Sequence, residues 1–173
     1  MAPLKILIVG PTKAGKSTIA NFLAEQSDRL GGQERYRPTI GVRILELEKG
    51  RANVELWDVS GDQSYEAGWP AVIKETDGVI LVYDPESHVH ESEAMLWYEW
   101  FMQNAGLDSS QCLVLEHSTG SNTSAIPLSA KSRLPSHLRV VATTFDTPNV
   151  LKSEFEQLVI AALERQQRMS KRK

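Results

Sequence analysis

Cysteine is nearly missing from this 173-residue chain, which carries one, Cys112. A lone thiol excludes a disulfide framework. Its place in the apolar run Cys112-Leu113-Val114-Leu115 reads as a buried strand residue in a reducing compartment, not a nucleophile. Excess basic charge is missing too: 19 Lys and Arg stand against 22 Asp and Glu, a net charge of −3, so no nucleic-acid partner is expected. No apolar run is long enough for a signal peptide or a membrane span, since Leu4–Val9 falls far short of the roughly 20 residues a bilayer requires. The C-terminal residues Met169-Ser170-Lys171-Arg172-Lys173 contain no cysteine. The expectation is therefore a cytoplasmic protein without a prenyl anchor, recruited by protein contacts. Internal repeats are absent, and the length suits one domain with a sizeable core.

What is present is organised around Gly10-Pro11-Thr12-Lys13-Ala14-Gly15-Lys16-Ser17, a match to G-x-x-x-x-G-K-S/T. It follows the apolar run Ile6-Leu7-Ile8-Val9 and opens a helical pattern from Lys16 to Gln26. In that context glycines let backbone N–H groups turn inward and cradle phosphate oxygens, and the helix N-terminus adds unpaired donors. The cradle is expected from Lys13, Ala14, Gly15, Lys16, Ser17 and Thr18, with Lys16 reaching the outer phosphates and the Ser17 hydroxyl ligating Mg²⁺.

Six candidate strands follow from apolar runs or alternation: Leu4–Val9, Val42–Glu48, Asn53–Asp58, Gly78–Asp84, Gln111–Glu116 and Leu138–Thr143. The second and third flank a turn at Lys49-Gly50 and read as a hairpin. Helical patterns cover Lys16–Gln26, Glu66–Lys74, Ser92–Asn104 and Val150–Met169. Strands alternating with helices predict a mostly parallel sheet wrapped by helices, with its ligand beyond the carboxyl ends of the strands. Ser118–Ser136, rich in Ser, Thr, Asn, Gly and Pro, reads as a long loop where a crossover helix is shortened or lost. The last helix puts Val150, Leu151, Phe155, Leu158, Val159 and Ala162 on one core-facing stripe. Beyond it Arg165, Arg168, Lys171, Arg172 and Lys173 form a basic tip, read as a solvated end, with weak contact to an acidic partner or membrane surface as the alternative.

Two further pieces give the chain a switch-like character. Pro38-Thr39-Ile40-Gly41 precedes the hairpin, where Thr39 can ligate Mg²⁺ and bond the last phosphate. Trp57-Asp58-Val59-Ser60-Gly61 ends the third strand with D-x-x-G; Asp58 would hold Mg²⁺ through water, and the Gly61 N–H would sense the terminal phosphate. In this order, behind a phosphate loop, the pieces resemble the Ras superfamily. Pro38-Thr39-Ile40-Gly41 beside Trp57-Asp58 is specifically Rab-like. With Gly41-Val42-Arg43-Ile44-Leu45-Glu46, Glu55-Leu56-Trp57-Asp58, Gly61-Asp62, Trp69-Pro70-Ala71 and Met95-Leu96-Trp97-Tyr98, the chain resembles the Rab-like small GTPases of intraflagellar transport complex B from about Leu4 to Phe155. The resemblance implies a P-loop small-GTPase α/β fold over residues 1–164, with 165–173 as the basic tip. It also implies GTP or GDP with Mg²⁺, a place at the cilium or flagellum and its base, and partners among the coiled-coil subunits of that complex.

The chain departs from small GTPases at two points. The residue after Gly61, normally a glutamine that orients the attacking water, is Asp62, with Gln63 one place later. A carboxylate facing the γ-phosphate predicts slow hydrolysis. The guanine-reading N-K-x-D is replaced across Leu115-Glu116-His117-Ser118-Thr119, leaving Glu116 as the candidate acceptor for the base and His117 either stacked on it or solvated. Ser129-Ala130-Lys131 matches a later base-binding motif but precedes the sixth strand, so Thr143-Thr144-Phe145 is the better equivalent, with Thr144 at the base. Relaxed specificity toward ATP stays open, as does a permanently bound nucleotide in a structural subunit. A P-loop nucleotide kinase would need an acceptor-substrate site and usually an Arg-bearing lid, and neither is evident in this chain. Trp69, Trp97 and Trp100 are either core or partner-facing, and His88 and His90 read as a solvated loop.

Overall fold

The computed structural model describes residues 2–25, 37–39, 41–118 and 134–173. In chain order the elements are β1 (Leu4–Val9), α1 (Lys16–Glu25), β2 (Arg37–Thr39), β3 (Val42–Lys49), β4 (Ala52–Val59), α2 (Trp69–Ile73), β5 (Gly78–Tyr83), α3 (His88–Tyr98), β6 (Cys112–Ser118), β7 (Arg139–Thr144) and α4 (Pro148–Ser170). The sheet runs β2-β3-β4-β1-β5-β6-β7. Strands β4, β1, β5, β6 and β7 are parallel neighbours, and β2–β3–β4 are antiparallel. All six expected strands are present. The seventh, β2, spans three residues, too few to show alternation in a sequence.

The central strands are apolar runs because both their faces are covered; every residue of β5 is buried. Alternation then sorts the core into two halves. Leu4, Ile6 and Ile8 pack with Ile19 and Leu23 of α1 and with Phe155 and Leu158 of α4. Leu7 and Val9 face the other way, joining Leu81 and Val114 against Trp69, Trp97 and Phe101. Cys112 belongs to that second half, and burial pushes its thiol up to about 11, which suits an inert core residue. Helix α4 buries Leu151, Phe155, Leu158, Val159 and Ala162, while Val150, expected on the same stripe, lies exposed. The helix continues unbroken past the expected start of the basic tip, and Arg165 donates to Gln111 Oε1. A two-pronged pair from Arg139 to the Glu154 carboxylate, at 2.6 and 2.5 Å, ties α4 to β7.

Helix α3 corrects two expectations. It starts at His88 because the Ser87 side chain accepts from the His90 N–H as an N-cap, so neither histidine lies in a loop. His90 is buried, and its Nδ1 accepts from the Asp84 amide at 3.1 Å. The helix passes into a π-helical turn, Glu99–Gln103. There Trp97 and Phe101 stack with centroids 5.5 Å apart, and Trp69 lies 4.8 Å from Trp97 and 5.2 Å from Phe101. Trp69 and Trp97 are therefore core, not partner-facing: the stretch 95–102 is apolar nearly all round because the sheet covers one side and the Trp69 segment another. Trp100 alone of the three is partly exposed.

Candidate nucleotide-binding site

The loop after β1 curls at the carboxyl edge of the sheet, in front of the N-terminus of α1. Lys13 (φ 62°) and Gly15 (φ 96°) take left-handed conformations, the backbone alternation that turns successive N–H groups toward an anion. Gly10 is there because nothing larger fits: a Cβ would stand 2.0 Å from the Val82 carbonyl oxygen. Lys16 is buried and its Nζ donates to the Pro11 carbonyl at 2.5 Å, spanning the loop. Burial lowers its ammonium to about 8, against the opposing pull of Asp58 and Glu93.

At the first turn of α1 the Ser17 Oγ donates to Asp58 Oδ2 at 2.7 Å. The same carboxylate oxygen lies 3.3 Å from Arg43 Nη2, which also donates to the Ser17 carbonyl at 3.1 Å. Gly61 presses on the phosphate loop, where a Cβ would sit 2.4 Å from the Thr12 nitrogen. The Tyr65 ring covers Gly41, whose backbone is left-handed at φ 80°. These groups enclose a cleft of about 540 Å³ lined by Thr12–Thr18, Gly41–Arg43, Asp58–Gly61 and Tyr65. Lys13, Ala14, Gly15, Lys16, Ser17, Thr18, Asp58 and Gly61 of the sequence-derived site are thus gathered in one place. Thr39 is described through its backbone, which pairs with Val42.

Asp62 and Gln63 are not among the cleft-lining residues. Instead of facing a phosphate, the Asp62 carboxylate caps the 3-10 turn Gln63–Gly68, accepting from the Ser64 amide at 2.9 Å. That hydrogen bond holds its pKa below the usual carboxylate value. At the base end, Glu116 is corrected as well. It points to the α3 side of the sheet, buried, and its Oε1 accepts the Tyr83 hydroxyl at 2.6 Å, so it is committed elsewhere. His117 is fully buried, so it is not a solvated loop residue. Its Nδ1 meets Thr143 Oγ1 at 2.9 Å, the Phe145 ring stands edge-on at 4.3 Å, and burial favours its neutral form. Thr144 ends β7 in a turn, its hydroxyl accepting from the Asp146 amide at 3.1 Å. Thr119 and Ser129-Ala130-Lys131, with most of the expected loop, lie outside the described residues.

The sequence model of the ADP-ribosylation factor family matches residues 2–134. The intraflagellar transport protein 22 homolog of Homo sapiens is 38% identical over 165 residues, covering 90% of this chain and 87% of the relative. The chain belongs to the intraflagellar transport protein 22 family of small GTPases. A GTP-bound crystal structure of the Trypanosoma brucei family member matches with a TM-score of 0.65 at 31% identity, over 94% of this chain and 99% of that one. A second trypanosome structure, titled as GTP-bound protein 22 with proteins 74 and 81, matches at 0.67 and 31% identity, over 95% of this chain and 99% of that one.

The cleft fits a polyphosphate: a left-handed nest, a helix N-terminus and a buried ammonium converge on it. It also fits a hard divalent cation, for which Ser17 and Asp58 supply oxygens. Among the described residues no three His, Cys, Asp or Glu cluster around a common point, so a metal here would not be held by a cage of such side chains alone. Two members of the site were missed in the sequence. Arg43 was quoted for its resemblance alone, although hairpin register sets it opposite Asp58. Tyr65 carried no signal, because its contact with Gly41 is made across the fold.

Proposed function

We propose that the chain binds a guanine nucleotide with Mg²⁺ in this cleft and serves as a Rab-like subunit of the intraflagellar transport machinery, joined to coiled-coil subunits at the cilium or flagellum. The observation that carries the reading is the convergence of Lys16, Ser17, Asp58 and Gly61 on one cleft behind the phosphate loop. The GTP in the trypanosome relative, and its complex with proteins 74 and 81, point the same way. Ser17 and Asp58 would hold the metal, with Thr39 from β2, and the metal would neutralise phosphate charge. Lys16 and the amides of residues 13–18 would hold the phosphates.

Hydrolysis is slow in this reading, because Asp62 is occupied as a cap and Gln63 stands outside the cleft. The same observation favours a second reading, in which the nucleotide is permanent and partner binding constitutive. Nucleotide released from the purified protein, identified by chromatography, tests the first claim: GTP or GDP is expected, and ATP or nothing would defeat it. Partner affinity of wild type, Ser17→Asn and Thr39→Ala separates the two readings. A loss of tenfold or more in the variants marks a nucleotide-gated adaptor, and equal affinities mark a constitutive subunit.

A further inference from the structure

The metal end of the cleft already contains a cation. Arg43 and Asp58 are direct partners in the β3–β4 ladder, and strand alternation puts both side chains on the α1 face with Leu45 and Leu56. The guanidinium is thus held by sheet register, not by a loop. Its Nη2 lies 3.3 Å from Asp58 Oδ2, the oxygen that also accepts Ser17 Oγ–H at 2.7 Å, and it donates to the Ser17 carbonyl at 3.1 Å. Both side chains are shielded, at 18% and 7% exposure, so solvent screens the pair less than it would on an open surface.

We propose that Arg43 is a built-in counter-cation at this end of the site, so that the protein holds nucleoside diphosphate with little dependence on Mg²⁺. The proposal rests on the nucleotide-binding reading above. An arginine stays protonated at any ordinary pH, so Asp58 is neutralised before any metal arrives. A divalent ion must then share Asp58 with a fixed positive charge or displace it, and either lowers the affinity for metal. Without metal, the same guanidinium joins Lys16 in offsetting phosphate charge. The two effects act in one direction, compressing the ratio between affinities with and without Mg²⁺.

The test is the dissociation constant of a fluorescent N-methylanthraniloyl GDP, measured with excess Mg²⁺ and with EDTA, for wild type, Arg43→Met, Arg43→Gln and Arg43→Lys. The proposal expects chelation to weaken wild-type binding by less than tenfold. It expects the chelation ratio in the two neutral variants to exceed the wild-type ratio at least fivefold, and Arg43→Lys to restore a ratio nearer wild type. A wild-type ratio of tenfold or more, or an increase below fivefold in a neutral variant whose circular dichroism matches wild type, overturns it. If both neutral variants misfold, the wild-type ratio and that of Arg43→Lys decide: a Lys ratio at least fivefold above wild type would overturn it, and a smaller difference supports it. No binding by wild type under either condition would instead defeat the nucleotide reading itself.

Discussion

Lys16→Met should make the empty protein more stable while destroying its ligand site. The ammonium is buried and its pKa lies at about 8 instead of 10.5. A displacement of that size means about 3 kcal/mol of disfavour for the charged form at neutral pH. Methionine keeps the apolar stem and removes the charge. It also forfeits the 2.5 Å hydrogen bond to the Pro11 carbonyl, worth about 1.5 kcal/mol. A gain of about 1–2 kcal/mol remains, or about 3–6 °C in melting temperature for a chain of this size. Linkage gives the pH window. Below pH 8 both folded and unfolded states carry the proton, and the cost is complete. Between about 8 and 10.5 the unfolded state binds more protons, so this group's cost fades as pH rises. Binding has the opposite slope, because phosphate needs the ammonium: wild-type affinity should fall roughly fivefold from pH 8 to pH 9 and stay flat below pH 7. In Lys16→Met that slope should vanish and affinity should drop by about 2–5 kcal/mol. The assays are scanning fluorimetry on nucleotide-stripped protein and titration with labelled GDP across pH. A stripped variant that melts below stripped wild type, or one that keeps the alkaline loss of affinity, would refute the reasoning.

Gly61→Ala should lower nucleotide affinity at least tenfold in the same titration, since its Cβ would meet the Thr12 nitrogen at 2.4 Å and push the D-x-x-G segment off the phosphate loop. Asp62→Gln should speed single-turnover GTP hydrolysis tenfold or more, because it frees the Ser64 amide and restores a side chain that can orient water; equal rates would count against the account of slow hydrolysis. Trp97→Ala should cost about 3–5 kcal/mol in urea unfolding, whereas Trp100→Ala, which loses an edge-on contact with Trp69 at 5.5 Å but is partly exposed, should cost less, about 1–2 kcal/mol, and weaken partner binding. Glu154→Gln should remove a carboxylate whose pKa is held low by the hydrogen bonds from Arg139. Its contribution is present above the ordinary carboxylate range and lost as pH falls through the lowered value, so the two proteins should converge in melting temperature in strong acid.

The parts legible in the sequence are those whose meaning is local. The phosphate loop is eight consecutive residues whose spacing states its own geometry, and the apolar runs of β1, β5 and β6 name their strands directly. Arg43 was legible in principle: with Lys49 opposite Ala52, counting back six pairs brings Arg43 to Asp58. The same counting exposes Glu116, which shares a face with Val114 and Cys112 and so points to α3 and Tyr83, not to the cleft. His90 could have been found from Ser87, a good N-cap three residues ahead of it. The tryptophans could not be sorted. A core and a hot spot demand the same apolar bulk, and only the π-helical turn at Glu99–Gln103 decides that Phe101 turns inward while Trp100 stays partly open.

That sorting changes where a nucleotide signal can emerge. The segment after Asp58 is fixed at both ends: at Gly61, which has no room for a side chain against the phosphate loop, and at Trp69, wedged between Trp97 and Phe101. Between these anchors every residue from Asp62 to Gly68 is exposed. A shift at Gly61 therefore cannot propagate through Trp69 without opening the core, at a cost of several kcal/mol. It must be absorbed in the 3-10 turn, whose cap is Asp62 and whose Tyr65 ring rests on Gly41. Any partner that reads the nucleotide should do so on this exposed turn and on Gly41 beneath Tyr65, with the buried tryptophans acting as the fixed post against which the turn moves.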